Sequence, residues 1–301
     1  MNKKVTIEQY NEGDEVGINN LFNSIFNQKR DIKEWSWKFK ESPVDARPFI
    51  VLAKDEDKIV GQYASIVYYL KYQDETVKIA QPVDTMVHKD YRGGVKGVLF
   101  ELYSKAEEGW RDNEVGLVLG FPNREAYIVG KKFLKYIDLI KIENLFKRLS
   151  WRLALKKRVN VPFGVNFAGW ISRFIIRFFV AIAEKPIKGV QYRWVDTLDE
   201  GVDSLWKMVR EQYCIMIERD FKYLNWRYCK KPGKDYHILK AERDEIVIGI
   251  IIVKYEDHED ARIGFIMECI SIKEPHLMEN LVKRGLIFLS QNKVDYVLAR
   301  L

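Results

Sequence analysis

The chain has 301 residues, of which 47% are hydrophobic, 13% aromatic and 31% charged, a composition that suits two folded domains and excludes a disordered or fibrous chain. Its net charge is +7, yet the stretch from Lys141 to Arg193 alone holds twelve Lys/Arg against two acids, Glu143 and Glu184. The remainder is slightly acidic, so an anionic partner should meet that stretch and not the chain at large. Cys214, Cys229 and Cys269 form no CxxC pair and have no histidine at ligand spacing, so no metal site is expected and a reduced, cytoplasmic setting is. The opening MNKKVTIEQYNEGDE has no apolar core of an export signal.

Taken in chain order, the first elements belong to an internal repeat. Arg30-Asp31-x5-Trp37-Lys38-Phe39 recurs as Arg219-Asp220-x5-Trp226-Arg227-Tyr228, and Pro43 and Pro232 each follow the tryptophan by six residues. IVLAKDEDKIVG, ending at Gly61, is answered by ILKAERDEIVIG, ending at Gly249. Each copy reads as a helix ending near the tryptophan, a loop, a strand, a charged turn and a second strand entered through glycine. The expected organisation is a first domain over 1–145, a basic aromatic linker over 146–189 and a second domain over 190–301.

After Gly61 the first copy continues through QYASIVYYLKY and ETVKIAQPVDTMVH, rich in the β-branched and aromatic residues of antiparallel strands. DYRGGVKG follows, and a helix is predicted from about Val98 to Trp110. A glycine-rich turn can aim successive backbone N–H groups at one point, and a helix N-terminus adds its dipole, an arrangement that suits a pyrophosphate. A tight turn needing positive φ would give the same letters. EVGLVLGF then reads as a strand, Pro122-Asn123 as its end, and REAYIVGKKFLKY as a further helix.

At these residues the chain resembles the GNAT superfamily of N-acetyltransferases. The resemblance implies an α/β fold of two tandem GNAT-like mixed sheets flanked by helices, with a helical basic insert between them. It implies that acetyl-CoA is the co-substrate, held by backbone groups of Met86 and Val87, by Arg92, Gly93, Gly94, Lys96 and Gly97 around its phosphates, and by Asn123, which opens the next helix with Ala126. Val95 departs from the loop pattern. The positions where the family carries its base, Gln81 and Val83, do not titrate, and Gly130 stands where it carries its tyrosine acid. Asp84 as base and Tyr127 as acid are the remaining candidates, Asp84 being equally readable as a strand-end residue bonded to backbone. His88 reads as structural.

In the second copy RIGFIMECISIKEPHLMENLVKRGLIFL offers a strand and a helix, but Lys273-Glu274-Pro275-His276 replaces the glycine loop and sets a carboxylate where phosphates would sit. Coenzyme binding is not expected there. Glu268 is placed on its strand facing a cleft between the copies. The copy stops at DYVLARL, which is expected to leave a sheet edge open unless another element or a second molecule covers it.

The linker segment NFAGWISRFIIRFFVAIAEKP sets Arg173 and Arg177 four residues apart amid Trp170, Phe174, Ile175, Phe178, Phe179 and Ile182. Two readings stand side by side: a helix lying on an anionic membrane surface with its arginines at head groups, or packing between domains. Nucleic acid is not the expected partner. The function these features imply is acetyl-CoA-dependent acetylation of an amine on a small molecule or amino sugar, in the cytoplasm or peripherally on the inner face of a membrane, in envelope polysaccharide metabolism by resemblance to tandem enzymes of that kind. A Fem-type transferase using aminoacyl-tRNA, and a non-catalytic scaffold binding acyl-CoA or membrane, are the alternatives, and a homodimer is a further expected assembly.

Overall fold

The computed structural model describes residues 5–44, 47–93, 97–156, 162–233 and 235–300. The chain divides into two compact units: Met1–Leu139 with Tyr213–Glu218 and Lys230–Pro232, and Ile140–Gln212 with Arg219–Cys229 and Gly233–Leu301. The stretch read as a linker is therefore built into the second unit.

The first unit begins with β1 (Val5–Gln9), α1 (Asp14–Phe26) and α2 (Ile32–Phe39), followed by β2 (Phe49–Asp55), β3 (Lys58–Tyr72) and β4 (Glu75–Val87). The repeat's aspartate explains where α2 starts, since the Asp31 carboxylate accepts from the amides of Lys33 and Glu34, two of the donors a helix start leaves unpaired. A 3-10 turn (Lys89–Tyr91), α3 (Val98–Asp112), β5 (Leu117–Val118) and α4 (Arg124–Phe133) complete the run. The sheet order is β1-β2-β3-β4-β5. Residues 59–68 of β3 are all buried because α1 and α3 both pack on this strand, so its side chains lose the in-out alternation of a one-sided sheet. Leu102, Ala106 and Trp110 of α3 close a core with Val51, Ala53, Tyr63 and Ala80, each large side chain contributing about 1.5–3 kcal/mol by leaving water.

The second unit starts with β6 (Asn144–Arg148), α5 (Arg152–Lys156), α6 (Pro162–Ile182), β7 (Gln191–Val195) and α7 (Gly201–Arg210). The next strand, β8 (Ile215–Ile217), pairs with Leu70–Tyr72 of β3 and so belongs to the first unit's sheet. The chain continues through α8 (Phe221–Leu224), a π-turn (Asn225–Cys229), β9 (His237–Arg243), β10 (Ile246–Asp257), β11 (Arg262–Ser271), α9 (Leu277–Gln291) and β12 (Tyr296–Arg300). The sheet order is β6-β12-β11-β10-β9-β7.

The repeat is thus structural. Trp37 and Trp226 are both buried, and each matched glycine has a steric reason: a Cβ on Gly61 would stand 3.0 Å from Leu102 Cδ1, and one on Gly249 would stand 2.8 Å from Leu281 Cδ1. In each unit a helix leucine presses onto strand backbone where only glycine leaves room. β4–β5 and β11–β12 are likewise the parallel pair of their sheets.

Two expectations are corrected. The edge of β12 is not open, because β6 pairs antiparallel along it from Tyr296↔Arg148 to Arg300↔Asn144. The basic stretch itself supplies the missing strand, so no second molecule is needed there. Arg173 does not reach outward to head groups: its Nη1 lies 3.5 Å from Asp295, a residue 1% exposed, and burial lowers its pKa. On the same helix Phe167, Trp170, Phe174, Phe178, Phe179 and Ile182 are each 53–65% exposed. Among the described residues no helix is long and apolar enough to cross a membrane.

Candidate functional site

Two features of the first sheet create an opening at β4. On the β5 side, pairing is limited to Ile79↔Leu117 and Ala80↔Val118, followed by one bond from Leu119 N to Ala80 O at 2.9 Å. The strand predicted over EVGLVLGF is therefore only two residues long, and no described strand continues beside Gln81–Val87. On the β3 side the register slips, with Gln62 opposite Met86 but Ala64 opposite Val83. The extra residue forms a bulge, and Asp84 sits in it at φ 49°, a left-handed conformation that costs a non-glycine residue about 1 kcal/mol or more.

Side chains hold the bulge in that shape. Arg30 Nη1 donates to Asp84 Oδ2 at 2.6 Å, Lys38 Nζ to Oδ1 at 2.7 Å, and Gln62 Nε2 to the Asp84 carbonyl at 2.9 Å. The side chains of Arg30 and Asp84 are 4% and 10% exposed. The repeat's Arg30 and Lys38 thus meet at one carboxylate. The second unit keeps the core of this arrangement, since Arg219 Nε donates to Glu268 at 2.7 Å where β11 also slips its register.

The turn beyond β4 is fastened to it. His88 Nδ1 accepts from the Asp90 amide, and Arg92 Nε donates to Val87 O at 3.0 Å. Gly94, Val95 and Lys96 lie outside the described residues. On either side of them the backbone closes tightly: a Cβ on Gly97 would come within 2.9–3.0 Å of Gly93 backbone atoms. Gly97 also begins α3 with no side-chain cap among the described residues, so the partial positive charge at the start of the helix faces no described side-chain acceptor. Met86 and Val87, buried at the end of β4, lie just before this turn.

The remaining expected residues lie on α4. Asn123 is its N-cap, its Oδ1 accepting from Ala126 N at 2.9 Å, which gives the Asn-x-x-Ala spacing a local structural reason. Tyr127 is 41% exposed, and its hydroxyl donates to Asp138 at 3.2 Å. Gly130 is glycine because the ring of Tyr136 occupies the space its Cβ would need. Sequence reasoning missed Tyr136, whose hydroxyl is 2.7 Å from that of Tyr63; burial raises the pKa of both phenols. No group of three or more metal-binding side chains occurs among the described residues.

The α9 N-terminus of the second unit is occupied by its own loop. Leu277 N donates to Glu274 O at 3.2 Å, and the Glu274 carboxylate pairs with Arg243.

A short parallel pair, a bulge beside it and a helix start that no described side chain caps are thus the features of the first unit at β4 and just beyond it. Residues 6–132, most of the first unit, match the family model of the acetyltransferase (GNAT) domain. No curated protein matches the sequence. Among solved structures, the chain is similar to an Enterococcus faecalis V583 protein of unknown function, a probable N-acyltransferase, with TM-score 0.65, 11% identity, and coverage of 99% of this chain and 65% of the other. It is similar to a GCN5-related N-acetyltransferase from Anabaena variabilis, with TM-score 0.63, 10% identity and coverage of 99% and 66%. Saccharomyces cerevisiae N-myristoyltransferase with bound myristoyl-CoA gives TM-score 0.58, 12% identity and coverage of 100% and 77%. The chain spans less than two thirds of the length of the first two. These likenesses describe a fold that runs through both units.

Proposed function

We propose that this chain is an N-acetyltransferase that takes acetyl-CoA as donor and an amine of a small molecule or amino sugar as acceptor. The observation that carries the reading is the uncapped start of α3 behind the Gly93–Gly97 closure, next to a β4 edge with no described strand partner past Ala80. Arg92, Gly93, Gly94, Lys96 and Gly97 would hold the pyrophosphate, and the open edge at Met86 and Val87 would take the pantetheine amides. The amine nitrogen attacks the thioester carbonyl, a C–N bond forms, the C–S bond breaks, and the proton lost by nitrogen ends on the thiol. Asp84 can serve as base only by releasing one of its two cations, and Tyr127 as acid only by leaving Asp138. Tyr136, filling the space beside Gly130, is the added candidate for proton donor.

Gly97→Ala is the direct test. The new methyl group forces the turn apart, and calorimetric titration with coenzyme A should show affinity lowered roughly tenfold or more, the scale of one or two lost charge-assisted hydrogen bonds. Wild-type protein that binds neither coenzyme A nor acetyl-CoA removes the proposal.

The exposed aromatic row on α6 favours a second, compatible role in peripheral attachment to a membrane, where aromatic rings sit at head-group level. Exposed Lys185 and Lys188 just beyond the helix would add attraction to anionic lipid. Flotation with phosphatidylserine-containing liposomes should carry wild-type protein upward and leave a Trp170→Glu, Phe178→Glu variant in the aqueous layer. Wild type staying wholly in the aqueous layer argues against attachment.

A further inference from the structure

Taking the acetyltransferase reading as its basis, we infer that the acceptor is an amine that also carries an anionic group, a carboxylate or phosphate, bound by the Lys38 face of the first unit. The cluster at the bulge is over-supplied with positive charge, because Arg30 and Lys38 share the single carboxylate of Asp84. Arg30 is 6% exposed, and its Nη2 is a buried donor with no hydrogen-bond partner, a state that costs free energy until a partner arrives. Lys38 also lines a narrow cleft with Phe39, Ser42, Arg47, Phe49 and Ser65, and none of the described residues lining it is acidic. The Ser42 hydroxyl is likewise buried without a partner. Cations and hydroxyls in a partly desolvated cleft are the chemistry that selects an anion.

The register ties the cleft to the reacting centre. Ser65 pairs with Pro82, two residues before Asp84, across β3 and β4, so the cleft begins roughly 7 Å along the strand from the bulge. Lys38 spans that interval. An anion seated there leaves an amine on the same small molecule within reach of the open β4 edge. The same cations repel an ammonium, which favours the neutral amine that attacks. This bears on the missing base, since an amine held neutral on arrival needs less help in losing its proton.

The test is thiol release from acetyl-CoA with matched acceptors: amino acids against their carboxamides, and amino-sugar phosphates against the free amino sugars. Wild type should favour the anionic member of its preferred pair by roughly tenfold or more in kcat/KM, the scale of one charge-assisted contact. Lys38→Gln should erase that preference mainly through KM, and Lys38→Arg should restore part of it. Lys38→Gln leaves the Arg30–Asp84 pair in place, and an unchanged melting temperature verifies folding. Wild type that uses neutral amines as well as anionic ones, or a preference untouched by Lys38→Gln, overturns the inference and leaves the acetyltransferase standing. Absence of coenzyme A binding and of thiol release with every amine overturns the acetyltransferase itself.

Discussion

Replacing Asp84 by asparagine is expected to destabilise the first unit by about 3–5 kcal/mol, because it strands two cations that now share one carboxylate. Arg30 cannot escape to water, with its side chain 4% exposed, whereas Lys38 at 22% can partly do so. The bulge should relax as well, since a left-handed residue persists only where its surroundings hold it. A fall in melting temperature of about 10 °C, accompanied by loss of thiol release, is the outcome to look for by scanning calorimetry and a thiol assay. Adding Arg30→Met to the asparagine variant should recover part of the stability, because the buried charge is removed together with its partner. A single variant within about 1 kcal/mol of wild type would mean that the ion pairs do not hold the bulge. A variant that folds normally and loses only turnover would instead support Asp84 as base.

A loss of similar size is expected in the second unit from Asp295→Ala. Asp295 is 1% exposed and is a meeting point of the chain: its carboxylate accepts from Arg152 Nε at 3.1 Å and from the Arg262 amide at 3.1 Å, with Arg173 also close. Its carbonyl accepts from the amides of Leu149 at 2.8 Å and Ser150 at 3.0 Å. Alanine leaves the Arg152 and Arg173 guanidinium groups without their buried counter-charge, a defect of about 3–5 kcal/mol. Hydrogen exchange should show Asn144–Arg148 and α6 losing protection first, because both are fastened through this residue. Uniform protection in the variant would show that packing of α6 on α9 suffices by itself.

Much of the architecture was legible because it rests on local letters. Trp37 and Trp226, the aspartates that begin their helices, and Gly61 and Gly249 carry the repeat in sequence, and each proves to have a steric or capping reason. The glycine turn before α3 was equally visible, since Gly97 is dictated by backbone atoms only four residues away. What stayed hidden depends on residues far apart in the chain. Arg173 reads as an outward charge until Asp295 is placed beneath it. Arg30 and Lys38 read as ordinary helix-flanking cations until the bulge brings Asp84 between them. Gly130 reads as a vacancy where the family has tyrosine, and only the fold shows that Tyr136 fills the space. The short β5 reflects the same limit: EVGLVLGF has the composition of a full strand, but composition does not say how much of β4 lies alongside.

The pairing of β6 with β12 has a consequence for how the protein is made. Tyr296 pairs with Arg148, 148 positions earlier, so the second sheet keeps an unpaired strand waiting while nearly half of the chain is synthesised. Contacts so distant in sequence form late and slowly, because loop-closure entropy is spent before any pairing energy returns. At ribosomal rates of about 5–20 residues per second that wait lasts roughly 7–30 s. Throughout it Leu145 and Phe146, still half exposed in the finished fold, stand on a strand without its neighbour. The first unit has β1 to β5 in place before β6 emerges and adds only the short β8 afterwards, whereas the second unit cannot close its sheet until β12 is out, so its unpaired strand edges stay exposed longer during synthesis.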